Sequence, residues 1–159
     1  MEQTALISLF AAAITAGTPL LLAAHGALLT ERAGILNLGV EGMMLVGAVA
    51  GFIVVQLTGS PWIGLGAAMI AGGILALIHG YLSIQLKANQ VVSGLALTIF
   101  GAGLSGFLGK SYIGVPAVAK FSPVALGFLS EIPFLGPILF KQDPLVYIAF
   151  LLCPVLWFL

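Results

Sequence analysis

Hydrophobic residues run along the chain in long blocks, and polar residues are confined to the short breaks between them. The first block covers about 4–29 and is interrupted by Gly17, Thr18 and Pro19. A polar break at 30–42 follows. The next blocks lie at about 43–58 and from Trp62 to Leu86, separated by "TGSP". "KANQ" (Lys87–Gln90) precedes a fourth block at about 91–109. Residues 110–143 make a longer loop with four prolines, and a fifth block begins at Pro144. Blocks near 20 residues long fit the ~30 Å hydrocarbon core of a bilayer as helices. The pattern therefore predicts an all-α, polytopic transmembrane helix bundle with about five membrane segments. It forms a single domain over residues 1–159. Pro19 lacks a backbone donor, so a kink or an unwound turn is expected there.

The break reads "ERAGILNLGVEG" (Glu31–Gly42). The whole chain holds five basic and five acidic residues, and Glu31, Arg32 and Glu41 fall in this one stretch. If 33–42 were helical, Asn37 and Glu41 would share a face, with Gly34 three residues earlier on it. Gly39 and Gly42 would each destabilise a helix interior by about 1 kcal/mol, which favours a broken segment. The block at 43–58 is ~24 Å long as a helix, short of a full crossing, so it borrows length from 35–42. That brings part of the motif to membrane depth. There, irregular backbone survives only where protein or a watery cavity satisfies it. Asn37 and Glu41 are expected to act as a buried structural clamp, with solute contact as the second reading. Glu31 and Arg32 also fit an ordinary solvated loop at the interface.

Composition reinforces the membrane assignment: 61% of residues are hydrophobic and 6% are charged, against about 25% charged in soluble domains. The 21 glycines suit close helix approach in lipid. Gly47 and Gly51 form a GxxxG pair. Ala68, Gly72, Ala76 and Gly80 form one ridge of small residues, and Gly94, Thr98, Ala102 and Gly106 another. Spacing of four keeps each set on one helix face. The plainer explanation is the general glycine enrichment of membrane helices.

Other candidate chemistry is sparse. His25 reads as a packed, hydrogen-bonding residue and His79 as an interfacial one. Trp62 and Tyr81 fit an aromatic belt. Asn89, Gln90 and Ser93 head the fourth block; Asn89 is the better N-cap and Ser93 the alternative. No G-x-S-x-G nucleophile motif occurs, and no HExxH or P-loop pattern. Cys153 is the single cysteine, so no internal disulfide or thiolate cluster is available. No metal and no cofactor are expected.

The stretch "GTPLLLAAHGALLTERAGILNLGVEGMMLVGA" resembles the permease subunits of bacterial ABC importers of the ribose and branched-chain amino acid type. It is most similar to the nucleoside group linked to basic membrane proteins. The shared block runs through Glu31, Arg32, Ala33, Gly34, Ile35, Asn37, Leu38, Gly39, Glu41 and Gly42. "ANQVVSGLAL" (Ala88–Leu97) and "IPFLGPILFKQDPLVYIAF" (Ile132–Phe150) extend the match over essentially the whole chain. Thr98 departs from the pattern, which more often has asparagine there.

The resemblance implies a non-enzymatic transport subunit, multi-pass in the bacterial cytoplasmic membrane, importing nucleosides by alternating access. Simple sugars are the next substrate class. It implies a second permease subunit, two cytoplasmic ATPase subunits and an extracytoplasmic substrate-binding protein. It also implies that the chain is the N-terminal half of a larger permease and stops before the cytoplasmic coupling loop, so that alone it would not couple ATP hydrolysis to transport. On this view Asn37, Glu41, Asn89, Ser93 and Thr98 are candidates for the solute path. Glu31, Arg32, Gly34, Gly39 and Gly42 carry the structural motif. Gly47, Gly51, Gly72, Gly80, Gly94 and Gly106 pack helices. The family topology places Lys87 in the cytoplasm and 110–143 outside, against the simple lysine count, which places the long loop inside. Two other classes remain. An ion-coupled carrier or channel would show charge along several helices or an inverted repeat. An intramembrane enzyme would need a nucleophile–base pair.

Overall fold

The protein, described here over residues 2–158 of a computed structural model, is helical in every apolar block. Helix α1 spans Glu2–Arg32, α2 Val40–Thr58, α3 Pro61–Gly80 and α4 Gln90–Gly109. Helix α3 runs on into a π-helical turn, Tyr81–Gln85. These make four helices long and apolar enough to cross a membrane. A fifth apolar helix, Pro144–Trp157, is shorter. This is an all-α polytopic membrane fold, and the short fifth helix completes the expected set. Most helix faces are apolar and exposed within this chain; Leu77 and Ile99 are each 75% exposed. An all-round apolar surface suits lipid or neighbouring protein, not water.

Two compact units divide the chain: one of residues 27–120, the other of residues 1–26 and 121–159. In the first, α2 packs on α3 and α4. A small core of Val46, Leu75 and Leu97 is flanked by Met43, Ala71 and Leu104. Glycines set the two crossings. A Cβ on Gly42 would lie 2.7 Å from the Thr98 Cα, and one on Gly64 2.9 Å from the Gly51 carbonyl. Gly47 and Gly51 meet the carbonyls of Ala68 and Gly64. Gly101 faces the backbone of Gly42. Within this chain the two four-step ridges are not the contact faces. Gly72 makes only an ordinary contact, and Gly80 and Gly106 have open space where a side chain would go. On α4 the contact face runs Gly94, Leu97, Gly101, in steps of three and four, so Ala102 and Gly106 turn away from it.

The second unit contains most of α1 and the segment after Phe121. The prolines of 110–143 do not leave an open loop. Strands β1 (Val124–Ala125) and β2 (Lys141–Gln142) pair antiparallel around a 3-10 turn, Gly127–Glu131, and a one-turn helix α5, Leu135–Leu139. Helix α6 (Pro144–Trp157) follows. Gln142 is buried, and its amide is fully used. It donates to the Ile138 carbonyl at 2.6 Å and accepts from the Thr15 hydroxyl at 2.9 Å. Its main-chain N–H donates to the Tyr147 hydroxyl (3.0 Å), which donates to the Val124 carbonyl (2.8 Å).

Helix α1 stays continuous through Pro19, without the unwound turn that is one of the two expectations there. Proline costs the helix one backbone bond, at the carbonyl four residues earlier; the Thr18 hydroxyl just before it donates to the Ile14 carbonyl of the same helix.

Candidate functional site: the broken segment between the first two helices

Residues 33–39 are non-helical, and short-range chemistry defines both ends of the break. Gly34 ends α1 in the left-handed conformation, φ +80°. Its N–H bonds the Glu31 carbonyl, and the Ile35 N–H bonds the Thr30 carbonyl, each at 2.9 Å. This is the Schellman motif, with glycine where a side chain would be strained. At the other end the Asn37 carboxamide oxygen accepts from the Gly39 N–H at 3.0 Å and turns the chain into α2.

Between these ends the peptide groups need partners from elsewhere, because unsatisfied backbone is costly away from water. Three side chains supply them. Gln90 accepts from the Leu36 N–H at 2.7 Å and donates to the Gly34 carbonyl at 3.5 Å. Thr98 donates to the Leu38 carbonyl at 2.9 Å. His79 Nε2 lies 3.3 Å from the Leu36 carbonyl, and its Nδ1 lies 3.0 Å from the Ser93 hydroxyl. A carbonyl can only accept, so Nε2 carries the proton. In the neutral ring Nδ1 then accepts from Ser93. Gly94 lets α4 approach, since a Cβ there would sit 2.9 Å from the Leu38 nitrogen.

The sequence candidates are distributed as follows. Asn37 is half-buried and lies before α2, whereas Glu41 is exposed in the first turn of α2. They share no helical face, because the backbone between them is not helical. Within this chain Glu41 clamps nothing; its carboxylate sits where a helix N-terminus favours negative charge. Glu31 and Arg32 are exposed at the end of α1. Asn89 caps α4, accepting from the Val91 and Val92 N–H groups at 3.0 and 3.2 Å. Helix α2 borrows only 40–42 from the motif, not 35–42. His25 bonds the Leu21 carbonyl within its own helix.

His79 and Gln90 are the residues that sequence reasoning undervalued. His79 is 2% exposed, packed within the chain. Its signal was a polar ring deep in a block without charge, a placement that demands a partner. Ser93 and His79 do pair, but the second ring nitrogen engages a main-chain carbonyl where a catalytic triad would place a carboxylate. Among the described residues no three His, Cys, Asp or Glu side chains cluster to hold a metal.

The family model for the branched-chain amino acid transport system permease component matches residues 9–159. The chain belongs to this permease family. Among its relatives is a putative glucose ABC transporter permease protein of Haloferax volcanii. It is 45% identical over 152 residues, covering 92% of this chain and 46% of the relative. A guanosine ABC transporter permease protein of Bacillus subtilis is 33% identical, covering 93% of this chain and 50% of the relative. A nucleoside ABC transporter permease protein of Lactococcus lactis is 30% identical, covering 89% and 48%. The permease chain thus spans about half the length of these curated relatives. No solved structure matches it.

Proposed function

We infer that this chain forms part of the membrane permease of an ATP-driven importer whose solute carries a sugar ring. Glucose, guanosine and nucleosides appear in the relatives' names, and a sugar ring is the chemistry they share. The observation that carries the reading is the family match over 9–159. The simple sugar stands ahead of the nucleoside because the glucose relative is 45% identical and the guanosine relative 33%. The stretch from Gly42 to Leu86 contains no Asp, Glu, Lys or Arg, which suits a neutral solute better than a zwitterionic amino acid, whose charges need partners inside a membrane.

The proposed partners are a second permease chain, two cytoplasmic ATPase subunits and an extracytoplasmic binding protein. A second Haloferax volcanii relative, a glucose ABC transporter permease protein at 32% identity, supports pairing of two different permeases. In this reading transport proceeds by alternating access, driven by the different affinity of the ATPases for nucleotide in the two states. The broken segment and the head of α4 line or brace the path. Asn37, Ser93 and Thr98 act there chiefly through the main chain they hold, and the membrane is the cytoplasmic one.

The test is uptake of radiolabelled glucose and guanosine by cells carrying the complete system, with and without this gene. Loss of glucose uptake is the expected result. Loss of guanosine uptake alone would move the substrate to nucleosides, and unchanged uptake of both would overturn the reading.

A further inference from the structure

We propose that His79 is the positioning residue of the broken segment, fixing it to α4 so that the two move as one piece. The main chain of Leu36 is held on both sides of its Cα: Gln90 takes its N–H and the His79 ring takes its carbonyl. From α3, the His79 side chain reaches both the segment and α4. The ring serves because it offers one donor and one acceptor in a fixed plane. Ser93 uses the acceptor and thereby directs the donor at Leu36. A residue with neither leaves the half-buried Leu36 carbonyl and the buried Ser93 hydroxyl without this partner. The third tie, Thr98 to the Leu38 carbonyl, comes like Gln90 from α4 itself. Segment and helix are thus linked at both ends of the unwound stretch. Solute-dependent motion then has to occur at other joints, such as the π-helical turn Tyr81–Gln85, where α3 changes its hydrogen-bond step.

The proposal adds to the transport reading, but its test does not need transport. With the permease in membranes, Cys153→Ser removes the thiol of this chain, and Ile35→Cys places a probe at the half-buried start of the unwound stretch. His79→Ala is expected to raise the maleimide labelling rate at position 35 about tenfold, the weight of one buried hydrogen bond. His79→Asn, which keeps a donor and an acceptor, restores it to within about threefold of wild type. Ser93→Ala leaves the ring in place and removes only its orienting hydroxyl. It is expected to give an intermediate rise, and it keeps the test open if His79→Ala fails to fold. A probe at Ser111→Cys, beyond the far end of α4, stays unchanged. Equal rises at both probes would mean general loosening and would overturn the proposal. So would unchanged labelling at position 35, or labelling in His79→Asn as fast as in His79→Ala.

Discussion

At the scale of single residues, glycine identity at a helix crossing and glycine identity elsewhere have different consequences. Gly42 and Gly106 look alike in the sequence, each in an apolar stretch. Any side chain on Gly42 meets the backbone of Leu97 and Thr98, which cannot rotate away, whereas Gly106 has open space. Gly42→Ala is therefore expected to destabilise the fold by about 1–3 kcal/mol, the cost of overpacking. Gly106→Ala should be neutral or stabilise by up to about 1 kcal/mol through helix propensity. Thermal melting of the two variants in detergent checks this; equal melting temperatures would contradict the crossing geometry. The sequence showed that glycines matter here, but not which ones. A step of four and a mixed step of three and four both keep residues on one side of a helix. Only the partner helix selects between Gly101 and Gly106.

At the scale of elements, all five apolar helices and the break between the first two were readable from hydrophobic block lengths and from two glycines and a charge cluster. What the pattern could not show was which ends are built locally and which depend on distant partners. The stop of α1 is local: Gly34 at φ +80° and the two bonds of the Schellman motif. Gly34→Ala forces a side chain into the left-handed region, at about 1–2 kcal/mol. It is expected to speed hydrogen exchange at Gly39 and Val40, where α2 begins. Pro19→Ala, in a helix that is already continuous, should leave exchange there unchanged. Similar effects from both variants would show that α1 is coupled to the break in some other way. The unwound middle is non-local. Its partners lie 43 to 60 residues away, at His79, Gln90 and Thr98, and no local pattern announces a pairing at that separation. The same holds for Gln142, at the end of the proline-containing loop, whose bond to Thr15 spans 127 positions.

At the scale of the whole molecule, the first testable consequence is sidedness. Ala88 and Ser111 flank the 20-residue helix α4, which is ~30 Å long. Cysteines placed at the two positions should therefore react with impermeant reagents from opposite sides of the membrane. Ala88 is expected on the cytoplasmic side; labelling of Ala88→Cys alone from outside would reverse the orientation, and labelling of both from one side would contradict the crossing itself. The break, the end of α3 and the start of α4 all lie toward the Ala88 end, so the reversal would carry the hydrogen-bonded segment with it. The α2–α4 crossing beside that segment also sets how the unit responds to temperature. Lipid tails are as apolar as the side chains they border, so the crossing gains little from expelling water. It rests on close atomic contact through Gly42, Gly94 and Gly101 and on hydrogen bonds to main chain. Water-driven association weakens on cooling, and this crossing largely escapes that weakening. A chill that loosens a soluble domain's core should leave the unwound stretch as firmly seated as it is in warmth.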